Sequence, residues 1–188
     1  MAPTPTGRYA RRWLVVSWLL TLSYVVHVAA AAFWTGAILF YAYLVVPAGG
    51  RSWLDRAAMN VLLDRLLRVT RWTGIALPVT GFYQWWVLYP VDPGALLGTT
   101  RGWLVLAMLS LWGALNGLLE VGIYRMRTVG GSVDPVAYLA EGFLVDGGVD
   151  GVATERLAAV GRPYVLVSLA LTVGLLVDAA LLAGGVPL

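Results

Sequence analysis

Residues 23–48 read SYVVHVAAAAFWTGAILFYAYLVVPA, an apolar run that holds the single histidine of the chain, His27. The run exceeds the ~20 residues that a helix needs to cross a hydrocarbon core. It is also too long for a signal-peptide hydrophobic region and lacks a small-residue cleavage site, so no cleavable leader is expected. Working outward, such blocks recur. The 188 residues are 60% hydrophobic and 12% charged, with a mean hydropathy of +0.78. A soluble domain of this length carries far more charge. The expectation is an all-α integral membrane protein whose solvent is the lipid bilayer.

Four transmembrane helices are expected in one bundle domain, over 22–47, 72–89, 102–124 and 163–183. The apolar stretch Trp13–Pro47 is longer than one crossing requires. Either one long helix protrudes, or residues 9–21 lie in the interface and the span starts near Leu22. Arg8, Arg11, Arg12, Trp13 and Trp18 suit a headgroup-level segment and favour the second reading. Pro78 sits inside the second span and frees the Gly74 carbonyl. Between the first two spans, Arg56, Asn60, Asp64 and Arg68 recur every four residues. They predict an amphipathic interfacial helix over 52–70, N-capped by Ser52 and running into the second span. The long loop 125–162 is expected to hold two short interfacial helices, starting at Asp134-Pro135 and at Thr154. Arg162-Pro163 reads as the start of the last span and Gly184-Gly185 as its end. Gly113 and Gly117 have the spacing of a close-packing helix seam, which invites helix association and a homo-oligomer.

The chain has no cysteine, which excludes disulfides and thiolate chemistry. All thirteen basic residues are arginine, so lysine Schiff-base chemistry is excluded too. The arginines flank apolar segments, so the pI near 9.4 implies no nucleic-acid partner. Nine arginines fall after the first and third spans and four on the other side. The positive-inside rule therefore places both termini outside, although the cluster Arg8, Arg11 and Arg12 pulls the other way. A prokaryotic plasma membrane is the expected location. No P-loop, GxSxG, HExxH or paired-carboxylate motif is present, and nothing points to nucleophilic catalysis.

Polar groups at membrane depth are costly and often functional. Counted along the spans, His27, Gln84, Met108 and Asp178 fall at one level near the outer interface. His27 reads in two ways. It is a heme or metal ligand, its second nitrogen oriented by a carboxylate such as Asp178. Otherwise it is packing glue between helices, the reading that residue type alone favours. A single histidine rules out bis-histidine heme ligation within one chain, which leaves Met108 as a second ligand, a weak sixth ligand or another subunit. Gln84 and Asp178 form a second shell or proton pair. Trp34, seven residues after His27, shares its helix face and can pack on a flat cofactor or belong to the core. Towards the inner side, Glu120 is expected to pair with Arg71 or Arg125 as a structural ion pair.

HVAAAAFWTGAILFYAYLVVPA, with its first-span histidine, Trp34-x-Gly36 and closing Pro47, resembles the copper resistance protein D (CopD-like) membrane family. RLLRVTRWTGIALPVTGF, with arginines entering a span that carries Thr80-Gly81, and Arg162 opening the last span fit the same pattern. The resemblance implies a four-helix membrane bundle with a role in copper uptake or redox chemistry. A related group, the HemJ-type protoporphyrinogen oxidases, has a first-span histidine thought to hold heme b, and by that match His27 is the ligand. The first functional expectation is a CopD-like protein binding heme b or copper through His27, for metal handling or membrane electron transfer. The alternatives are a cofactor-free accessory subunit of a larger membrane complex, or a small proton-coupled transporter acting as an oligomer.

Overall fold

The computed structural model describes residues 7–88, 93–143 and 151–184. Among them the chain is all-helical: α1 (Gly7–Phe40), a π-helical segment (Tyr41–Val45), α2 (Val46–Gly50), α3 (Arg56–Leu88), α4 (Pro93–Gly98), α5 (Thr100–Thr128), α6 (Pro135–Ala140) and α7 (Thr154–Gly184). Three helical stretches are long and apolar enough to cross a membrane: Val16–Gly50, Thr100–Thr128 and Thr154–Gly184. The expected second span lies in α3 and falls outside this set. Its sequence there is diluted by Arg71, Thr73, Gly74, Pro78, Thr80, Gly81 and Gln84.

The boundaries differ from expectation where helix signals compete. α1 runs unbroken from Gly7, with no proline or glycine between that residue and Gly36 to stop it, so residues 9–21 and the span beyond Leu22 form one continuous helix. The headgroup placement of Arg8, Arg11, Arg12 and Trp13 falls on side chains outside the described set. Near its end the chain widens into a π turn, in which Val46 donates its N–H to the Tyr41 carbonyl. Pro47 follows, has no N–H to give, and would crowd the carbonyl one turn back. The 52–70 helix and the second span are one helix, α3, and its cap is Asp55, not Ser52. Asp55 Oδ1 accepts from the Ala58 N–H at 2.6 Å, whereas Ser52 has a left-handed φ of 58° and donates its hydroxyl to Glu155. α7 starts at Thr154 and carries Pro163 in its third turn, so the last helix begins well before the expected 163 and shortens the 125–162 loop. Asp134 does cap α6, accepting from the Val136 N–H at 3.0 Å. Tyr89 and Gly185, expected at span ends, and residues 144–150 of the loop lie outside the described residues.

Close contacts fix the helix register. α5 and α7 are antiparallel, with Gly122 against Tyr164, Gly161 against Met126 and Gly174 against Leu111. A Cβ at Gly122 would sit 2.7 Å from that of Tyr164. Gly113 and Gly117, the expected association seam, have nothing of this chain within 4 Å and face outward. The tight contact inside the chain is at Gly122, five residues further along the same helix. α3 meets α5 through Gly74, which lies under Asn116. Two apolar clusters fill the interior. One surrounds Tyr41, Met59, Leu67, Ile123 and Leu157; the other surrounds Ala30, Trp34, Ile38, Leu77, Leu115 and Leu119.

Candidate functional site

The first site begins with Thr80. Its hydroxyl lies 2.6 Å from the Ala76 carbonyl, the back-bond that a threonine inside a helix makes to the residue four before it. A hydroxyl has one proton and two lone pairs. With that proton given to Ala76, Oγ1 is left as an acceptor, and His27 Nδ1 lies 2.7 Å from it. That contact assigns the proton to Nδ1, which leaves the Nε2 lone pair available. The ring packs over Gly81, where a Cβ would lie in ordinary contact at 3.5 Å from His27 Cε1. His27 is thus oriented by a hydroxyl on α3, not by the carboxylate expected from α7.

The remaining outer residues are distributed over the other helices. Continuing the Leu111–Gly174 register outward by one turn places Met108 level with Asp178. Met108 is half-buried, and Asp178 is buried at 6% exposure. Asp178 Oδ2, Gln84 Nε2 and Ser23 Oγ are buried and make no hydrogen bond. The expected Asp178–Gln84 contact is therefore not made. Trp34 is buried in the middle cluster with an unpaired indole N–H, so it serves the bundle core. Among the described residues no group of three or more His, Cys, Asp or Glu side chains is gathered to hold a metal ion.

The second site is an arginine clamp. Arg71 forms a fork with Glu120, Nε to Oε1 at 3.0 Å and Nη2 to Oε2 at 3.1 Å. Its Nη1 donates to the carbonyls of Tyr138 at 2.9 Å, Leu139 at 3.0 Å and Glu141. Those carbonyls end α6, where a cation also meets the negative end of the helix dipole. The guanidinium lies 4.8 Å from the Tyr138 ring and 5.4 Å from that of Phe143. Tyr138 closes the ring by donating its hydroxyl to Glu120 Oε2 at 2.9 Å. Burial, reinforced by the Glu120 carboxylate, pushes the Tyr138 phenol well above its ordinary range. Arg125, the alternative partner of Glu120, is exposed.

Sequence reasoning missed Arg127. Its side chain is 1% exposed and lies 3.3 Å from Glu141 Oε2, yet none of its three nitrogens makes an aligned hydrogen bond. Arg127 follows Glu120 by two helical turns on one face of α5, a signal present in the sequence. The partner could not be found that way, because Glu141 arrives from beyond α6.

Fold and site together define an all-helical protein with three helices suited to a membrane and two polar sites at different levels along the bundle. No family model, curated protein or solved structure matches the chain.

Proposed function

We propose that this chain is a multi-pass membrane protein that binds heme b through His27 Nε2 and serves membrane electron transfer, as its resemblance to CopD-like proteins implies. The observation that carries the reading is the Thr80–His27 contact, which commits Nδ1 and leaves Nε2 to ligate. Heme brings four nitrogens of its own and needs only an axial ligand from the protein, which one oriented imidazole supplies. A protein-bound copper ion needs several donors gathered in one place, and the described residues gather no three His, Cys, Asp or Glu side chains. The bound heme would supply one-electron chemistry. The protein's part is to hold the imidazole in one tautomer and exclude water.

α3 completes a four-span bundle in this reading. Its threonine hydroxyls are satisfied within the helix, Thr70 on Leu67, Thr73 on Val69 and Thr80 on Ala76. α1 and α5 flank it, so its lower hydropathy costs little against lipid. The arginine distribution supports a prokaryotic plasma membrane with both termini outside.

The test is an absorption spectrum of the detergent-purified protein, oxidised and then dithionite-reduced. A Soret band that shifts on reduction is expected. It is lost in His27→Ala and weakened in Thr80→Val, which keeps the shape of Thr80 and removes the acceptor. Full heme occupancy in His27→Ala would sink the assignment.

A further inference from the structure

We infer that Asp178 is a proton-binding carboxyl group within the membrane, separate from His27. Three observations converge. Asp178 lies on α7, a helix apolar enough to cross a membrane. It is 6% exposed, and its Oδ2 has no hydrogen-bond partner. The chain has no lysine, and the one histidine gives its Nδ1 to Thr80.

Among the described residues the surroundings offer no compensating cation. α7 packs against α5, α1 and the 41–50 segment. On the outer half of these elements the described titratable or charged groups are Tyr24 and His27 on α1 and Arg101 on α5. Tyr24 is exposed, as is Arg101, seven residues before Met108. The 41–50 segment meets the opposite end of α7, where Gly49 packs on Ala158. Tyr41 and Arg127 belong to that inner end. An isolated carboxylate in an apolar setting neutralises rather than paying for its desolvation. The ligand of this site is therefore a proton. Ser23 Oγ and Gln84 Nε2, also buried and without hydrogen bonds, make the outer end the more polar end for that proton to enter.

A protonated carboxyl group in lipid has a characteristic reaction with an apolar carbodiimide. The acid proton passes to one carbodiimide nitrogen and the carboxyl oxygen bonds to the central carbon. The acyl group then shifts to nitrogen to give a stable N-acylurea. No atom leaves, so the peptide gains the mass of the whole reagent.

The test uses the full chain in proteoliposomes. It combines dicyclohexylcarbodiimide labelling read by peptide mass spectrometry with infrared spectroscopy in the protonated-carboxyl region. The expected result is labelling at Asp178, lost in Asp178→Asn and retained in Asp178→Glu, with a carboxyl band that disappears in Asp178→Asn. A spectrum in which Asp178→Asn removes no such band overturns the inference, as does labelling that Asp178→Asn leaves intact. Both readouts work on colourless protein, so this inference and the heme reading fail separately.

Discussion

The Arg71–Glu120 fork can be weighed by a double-mutant cycle of Arg71→Met, Glu120→Gln and the pair. Deleting one partner of a buried ion pair costs ~3–5 kcal/mol, because the other charge is left uncompensated. Exposed pairs are worth only ~0.2–1 kcal/mol. Here the Arg71 side chain is 5% exposed and that of Glu120 38%. Solvent therefore screens one end of a two-pronged contact, and a coupling energy of about 2 kcal/mol is expected between those limits, roughly a thirtyfold change in the folding equilibrium.

The two single variants differ in kind. Glu120→Gln leaves Arg71 buried and still bonded to three carbonyls. Arg71→Met lets Glu120 hydrate but orphans the carbonyls of Tyr138, Leu139 and Glu141. Reversible unfolding in mixed micelles measures the coupling. Hydrogen exchange at the amides of Tyr138, Glu141 and Phe143, which bond Asp134, Ala137 and Ala140, shows which variant frees the segment. Arg71→Met is expected to raise their exchange more than Glu120→Gln. A coupling below ~1 kcal/mol, within the range of exposed pairs, would refute the reasoning. Unchanged exchange in Arg71→Met would refute it equally.

Two further outcomes rest on the same geometry. Gly122→Val places a Cβ 2.7 Å from Tyr164 Cβ and 2.9 Å from its Cγ; it should cost ~1–3 kcal/mol by overpacking, while Gly117→Val, with open space around it, leaves unfolding unchanged. An equal loss in both would return the seam to Gly113 and Gly117. Tyr138→Phe tests the raised phenol. The unfolded phenol ionises near pH ~10 while the folded one stays neutral, so stability present below that pH is lost as pH rises above it. Removing the hydroxyl in Tyr138→Phe should abolish that alkaline loss in pH-dependent unfolding curves, and a persistent loss would exclude Tyr138 as its source.

The parts of this molecule legible in its sequence are those governed by a local period or by composition. Apolar blocks of span length show as helices because every backbone group in lipid must bond within its own segment. Asp134-Pro135 opens α6 because a cap and a proline act within one turn. Signals failed where two local rules compete. Ser52 looks like a cap, yet Asp55 lies closer to the helix start and Ser52 is drawn to Glu155, 103 residues away. Pro163 looks like a start signal, but the helix that Thr154 opens runs past it. The Gly113–Gly117 spacing could not say which way its face points. The faces of α5 are set by Tyr164 and Met126 against Gly122 and Gly161, contacts made across helices. The candidate sites divide in the same way. Glu120 and Arg71 stand out as charges near membrane depth, whereas the three carbonyls that hold Arg71 belong to a segment docked from the next loop. The acceptor for His27 stands in the sequence only as half of Thr80-Gly81. Its role follows from a back-bond within α3 that fixes the hydroxyl proton. Chemistry that depends on where a hydroxyl sends its own proton is invisible to residue type alone and becomes readable once the facing helix is in register.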